Sequence, residues 1–279
     1  MDGVLLDTED LYTAISNTIL HKYGKPSIPW HIKAQLQGRS GSQGREIFWA
    51  WAQLPISREQ YREETSALRQ RYYPTIQPLP GVEELLKTLS AETTKPKPYL
   101  AVATGTSAKG YRLKTSHLTE LFSYFPEDQI VVGDDKRIEP RRGKPAPDIY
   151  LLALKTINEG IRRRKEKGSM EIEVTAEECL VFEDGVPGVE AARRAGMRVV
   201  WCPHKELLEE YKGREKEVLA GLTGEYKEEG EEVDSKVMKD ELGLKGKPGQ
   251  IDDGWAELLP SLEGFPYQRY GIDVGETVS

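Results

Sequence analysis

The sequence predicts an α/β fold: a doubly wound parallel sheet with an all-helical module inserted near its start. Three observations carry that expectation. From Pro80 onward, short apolar runs alternate with amphipathic segments of helical length. Up to about Leu79 the pattern is helical, with no strand-like alternation. The chain of 279 residues is long enough for two units that each bury a core. Short apolar strands alternating with helices mean a parallel sheet covered on both faces.

Taken in order, Met1 to Asp7 is a Gly-containing apolar stretch. Thr8, Glu9 and Asp10 then suit the positive end of a helix, expected from Thr8 to Tyr23. Breaks fall at Gly24, at Gly38 to Gly44 and at Pro55. Trp30, Phe48, Trp49, Trp51, Tyr61, Tyr72 and Tyr73 lie at helical spacing, which reads as core more readily than as pocket lining. Beyond Gly81 the pattern predicts helix Val82 to Leu89, strand Tyr99 to Ala103, a helix from Ser107, strand Ile130 to Val132 and a helix from Asp148. Strand Cys179 to Phe182, helix Val186 to Ala195 and strand Arg198 to Trp201 complete it. Two inserts interrupt the alternation. Gly160 to Gly168 carries Arg162, Arg163, Arg164, Lys165 and Lys167 and reads as a solvated helix face rather than an anion patch. Residues 212–253 are rich in Glu, Lys and Gly and are expected to be a mobile insert.

Composition narrows the function classes. With 39 Lys and Arg against 46 Asp and Glu, the net charge of -7 repels a polyanion, so no nucleic acid partner is expected. No apolar run approaches the roughly 20 residues of a membrane-spanning helix, so no membrane association is expected either. Cys179 and Cys202 sit in or beside apolar runs and read as small buried hydrophobes; with no disulfide framework or zinc spacing, a cytoplasmic location is expected. His21, His31, His117 and His204 are scattered and form no HxxxH pair.

In a doubly wound sheet, ligands bind outside the carboxyl ends of the strands. Those ends carry Asp2-Gly3, Thr104-Gly105-Thr106-Ser107 and Glu183-Asp184-Gly185, and Lys144 stands in the Gly143-Lys144-Pro145-Ala146-Pro147-Asp148 loop. Paired carboxylates suit a hard cation, and magnesium takes one or two of them plus phosphate and water. A Thr hydroxyl with backbone amides at a helix start suits phosphate oxygens, and a lysine opposes the charge of a transferring phosphoryl group. Each piece alone could be a helix cap or a turn; together, in this order, they are the parts of a phosphoryl-transfer site.

Met1 to Glu9, Ala101 to Ser107, Gly143 to Asp148 and Val181 to Gly185 resemble, in order, the four motifs of the haloacid dehalogenase superfamily. Leu113-Lys114-Thr115-Ser116-His117 with Leu121-Phe122, the Gly133-Asp134-Asp135 turn and the tail from Leu259 to Gly271 are similar to the branch of small sugar-phosphate phosphatases that includes pseudouridine-5'-phosphatase. The resemblance implies a Rossmann-like core (residues 1–11 and 79–279) and a helical cap (residues 12–78), with cap hinges near residues 8–12 and 76–82. It implies a monomeric magnesium-dependent phosphatase of small phosphorylated metabolites, acting through an aspartyl-phosphate. By the same resemblance, Asp2 is the general acid and base and ligates magnesium through its carbonyl. Thr104 holds the phosphoryl oxygens with Gly105 and Thr106 beside it, Lys144 neutralises them, and Glu183 and Asp184 complete the metal site. Arg39, in Gly38-Arg39-Ser40, becomes a candidate substrate contact. The family's attacking Asp and its strand would stand upstream of Met1, so the expectation is a chain that starts inside the first motif. A phosphomutase of the same superfamily and a binding protein without turnover are the alternatives.

Overall fold

The computed structural model describes residues 1–39, 41–140, 142–225 and 249–275. Its first residues form a turn: the amides of Val4, Leu5 and Leu6 return to the Met1 carbonyl at 3.4, 2.8 and 3.1 Å. Gly3 adopts φ 65° there, a conformation open to a residue without Cβ.

Four helices follow: α1 Glu9–Lys22, α2 Trp30–Leu36, α3 Gly41–Ala52 and α4 Arg58–Tyr72. Glu9 and Asp10 in the first turn of α1, and His21 and Lys22 in its last, complement the helix dipole. Ser57 caps α4 by accepting from the Gln60 amide at 3.1 Å. Ile19, Leu20, Ile28, Phe48, Ala52 and Leu54 make an apolar cluster of their own, against which Trp49, Trp51 and Tyr61 pack. These aromatics are therefore core. Trp30 departs from them, stacking on the His204 ring at 4.8 Å and packing on the sheet side of the molecule. Helix α1 is shared: Ile15 packs with the sheet-side core and Ile19 with the helical cluster.

The α/β part runs α5 Val82–Ser90, β1 Val102–Ala103, α6 Ala108–Thr115, α7 Thr119–Phe122, β2 Ile130–Val131, α8 Asp148–Lys165, β3 Leu180–Glu183, α9 Val186–Arg194, β4 Arg198–Trp201, α10 Lys205–Glu210, α11 Glu215–Ala220 and β5 Ala256–Leu258. Every strand pair is parallel, in two sheets, β1-β2 and β3-β4-β5. Among the described residues no strand joins β1 to β3. Each therefore keeps only the residues that its one ladder holds, and the strand expected over Tyr99 to Ala103 shortens to two residues. The strand β5, not expected from the sequence, is three residues long, too short to show alternation, and exists because β4 offers it a ladder. The core is dense along α8, α9 and β4, with Trp201, Val189 and Ile161 fully buried.

Two sequence expectations are corrected in detail. The basic run is no insert but the last turns of α8, whose 18 residues reach Lys165. Its cations are paired, Arg162 with Glu173 at 2.7 Å, Arg163 with Asp128 at 2.6 Å and Arg164 with Glu171 at 2.6 Å, so it is a solvated helix end with its charge balanced locally. Part of the stretch expected to be mobile, residues 212–253, is the helix α11; residues 226–248 of it lie outside the described residues. Among the described residues no helix is long and apolar enough to cross a membrane.

Candidate active site

The loops after β1 and β3, the N-terminal turn and the Lys144 loop converge as two neighbouring clusters. In the first, the Thr104 amide donates to the Val131 carbonyl at 3.0 Å, and its buried hydroxyl accepts from the Thr106 amide at 3.2 Å. Gly105 packs against Gly133, where a Cβ would lie 2.1 Å from the Gly105 carbonyl oxygen. The Thr106 hydroxyl donates to Asp2 Oδ2 at 2.7 Å. Asp2 Oδ1 accepts from Lys114 Nζ at 2.6 Å and from the Tyr12 hydroxyl at 2.8 Å. Lys114, 1% exposed on α6, also donates to the Tyr12 hydroxyl and to Thr106 Oγ1, and the rings of Tyr12 and Tyr73 flank it at 5.0 and 5.2 Å. Burial alone would raise the pKa of Asp2; the Lys114 ammonium and the Met1 amino group outweigh it and hold the carboxyl well below its usual range.

The second cluster centres on the end of β3. Lys144 and the Tyr150 hydroxyl both donate to Glu183 Oε1, while Glu183 Oε2 accepts from the amides of Asp184 and Gly185 at 3.1 and 3.3 Å. Against the cost of burial, these partners hold the Glu183 carboxyl low. Asp184 has the opposite fate: burial, then the charges of Glu183 and Glu9, push its pKa well above the ordinary value. Its hydrogen-bonding partner is Gln37, whose Nε2 donates to Oδ2 at 2.7 Å. Gly3 lies so close that a Cβ there would stand 2.2 Å from Asp184 Oδ2. Glu9, buried and paired with Lys33 at 3.5 Å, is raised by burial to about 6. The buried Met1 amino group sits within the field of Lys144, Asp2, Glu183 and Asp184, and burial lowers its pKa.

Sequence reasoning placed Asp2, Thr104, Gly105, Thr106, Lys144, Glu183 and Asp184 at one site, and all lie in these two clusters. The guanidinium of Arg39 does not join them. Its carbonyl lies 3.9 Å from where a Gly105 Cβ would be, but its side chain pairs with Glu225 and donates to the Gln35 carbonyl at 2.7 Å. A carboxylate far along the chain captures it, and Ser40 beside it lies outside the described residues. Nor do Asp2, Glu183 and Asp184 close into one carboxylate cage: among the described residues no three acidic, His or Cys side chains converge as a metal site. The Asp2 carboxylate is committed to Lys114, and that of Glu183 to Lys144. The donor chemistry nonetheless fits a hard cation, because Asp184 is a buried acid within the fields of Glu183 and Glu9, and magnesium needs only one or two carboxylates besides main-chain carbonyl, phosphate and water oxygens.

Gln37, Tyr12 and Tyr150 were missed. Tyr150 is spaced like any core residue of α8, and Gln37 carried no signal beyond its place before Gly38. Lys114 lay in a run singled out by resemblance, without a role.

The haloacid dehalogenase-like hydrolase family model matches residues 1–196. An uncharacterised protein of Schizosaccharomyces pombe is 38% identical over 97% of this chain and 91% of its own length. A probable pseudouridine-5'-phosphatase of Saccharomyces cerevisiae is 40% identical over 74% of this chain and 81% of its own. Among solved structures, a Thermotoga maritima protein assigned as a beta-phosphoglucomutase superposes with a TM-score of 0.52 at 30% identity, over 75% of this chain and 88% of its own.

Proposed function

The chain belongs to the haloacid dehalogenase-like hydrolase family, and from that premise we propose that it is a magnesium-dependent phosphomonoesterase of a small sugar or nucleoside monophosphate. The attacking carboxylate in this reading is the Asp that the resemblance sets two positions before Asp2. The observation that carries this reading is the convergence of Asp2, Thr106 and Lys114 in one hydrogen-bonded cluster beside the Lys144–Glu183 pair and Asp184, at the loops after β1 and β3.

In the first half of the reaction, the attacking carboxylate forms a bond to phosphorus as the bond to the substrate oxygen breaks, and Asp2 gives its proton to the leaving alcohol. In the second, water attacks the aspartyl-phosphate, its proton passes to Asp2, and inorganic phosphate leaves. Asp2 is held as an anion, the state the second half uses; the first half requires the Lys114 contact to loosen as substrate enters and Asp2 to take up a proton from water or from the substrate's phosphate monoanion. Thr104 and the Gly105-Thr106 main chain receive the phosphoryl oxygens, and Lys144 opposes their growing charge. Magnesium, when bound, would neutralise the same oxygens, held by Asp184 and the Asp2 carbonyl with Glu183 behind them.

The similarity to a pseudouridine-5'-phosphatase favours hydrolysis of a nucleoside monophosphate. The likeness to a beta-phosphoglucomutase supports a second reading, isomerisation of a sugar phosphate. Phosphate release by the complete chain from p-nitrophenyl phosphate and from pseudouridine 5'-phosphate, with and without chelator, decides between them. Magnesium-dependent release is expected, and Lys144→Met should cut kcat by about 1000-fold. A complete chain that isomerises sugar phosphates without releasing phosphate would be a mutase, and one that binds them without turnover would be a binding protein.

A further inference from the structure

Gln37 closes α2 and is 6% exposed, yet its amide is only half satisfied. Nε2 donates to Asp184 Oδ2 at 2.7 Å, while Oε1 is buried with no partner. The backbone around it meets the β3 loop directly: a Cβ on Gly185 would lie 3.0 Å from the Gly38 Cα and 3.4 Å from the Gln37 carbonyl carbon. The helical part of the molecule is thus docked on the β3 loop, and the Gln37 side chain ends on Asp184. Asp184 also feels the negative charges of Glu183 and Glu9 and the opposing positive charge of the Met1 amino group.

We propose that Gln37 competes with a hard divalent cation for Asp184 Oδ2, holding that oxygen with its Nε2 and giving it up when the cation binds. The inference rests on the magnesium reading above and adds a coupling between metal occupancy and docking of the helices. The 2.7 Å bond from Nε2 occupies a carboxyl oxygen that a cation on Asp184 would need. Turning the amide over would set Oε1 against Asp184, two acceptors face to face. The unpartnered Oε1 also shows that Asp184 alone anchors this amide, so a cation displaces one bond rather than a network. Gln37 is a positioning residue here; no proton or phosphoryl transfer passes through it.

Magnesium titration calorimetry on the complete chain, without substrate, tests this on Gln37→Leu and on Gln37→Met, an unbranched side chain that fills the site if leucine does not fold. Each should bind magnesium about tenfold more tightly than wild type, the effect of removing one competing hydrogen bond. Amide hydrogen exchange over α2 supplies a second reading: magnesium should speed it in wild type, while the variants exchange fast already and respond little. Equal or weaker affinity in folded variants, or α2 exchange in wild type indifferent to magnesium, overturns the role of Gln37 and leaves the phosphatase reading standing. A wild-type chain that binds no magnesium overturns both.

Discussion

Asp2 and Asp184 stand at neighbouring loops of one site, yet their surroundings drive them in opposite directions. Burial raises the pKa of both. Around Asp2 the packed groups are an ammonium and two hydroxyls, from Lys114, Tyr12 and Thr106, and the acid stays ionised. Around Asp184 they are two carboxylates and an amide, and the acid resists ionisation. What separates them is the sign of the charge packed against each, not the depth of burial. A lysine on α6 has already settled the first acid as an anion; for the second, the charges of Glu183 and Glu9 and the cost of burial outweigh the opposing pull of Gln37 and the Met1 amino group.

Substitutions that remove the charges one at a time can break this comparison. The largest effect on stability is expected for Asp2→Asn, which strands the Lys114 ammonium in the core and should lower unfolding free energy in urea by about 3 kcal/mol; a loss near zero would mean that the pair contributes nothing to the fold. A smaller effect comes from Glu9, raised by burial from 4.5 to about 6. Between those values the folded state keeps a proton that the unfolded chain has released, so stability is full at the acidic end and falls as pH rises through the window, by about 2 kcal/mol. Glu9→Gln should flatten that slope in urea melts taken across the window. The depressed Asp2 has the reverse sign, its contribution present above the ordinary carboxylate range and lost as pH falls through the lowered value. The smallest effect, and the sharpest contrast with Asp2→Asn, is a gain: Asp184→Asn relieves a buried acid of its charged neighbours and should stabilise the metal-free protein at neutral pH by about 1 kcal/mol, while abolishing its magnesium heat in calorimetry. Two neighbouring Asp→Asn changes with opposite effects on stability would establish that local charge separates them.

Much of the fold was legible because it is written in short-range pattern. The helices α1, α5 and α9, the start of α8 and the strand β4 lie within a residue or two of where periodicity and capping residues put them, since a helix face or a strand run repeats within a few neighbours. The weak points were those that depend on a distant partner, the shortened β1 and the unexpected β5, whose lengths follow from ladder neighbours rather than from their own residues.

The candidate site divides along the same line. By itself the sequence determined which chemical groups stand at the strand ends, Asp2, Thr104, Lys144, Glu183 and Asp184, because each is fixed by its place in a local strand, turn and helix start. Only the tertiary structure decided what each one touches. Lys114 meets Asp2 across 112 positions, Gln37 meets Asp184 across 147, and Glu225 turns Arg39 aside across 186. Such pairs leave no periodic trace, because they form when separate elements pack, and in a buried site it is the packed neighbour that sets whether a carboxylate is an anion already satisfied or one still open to a cation.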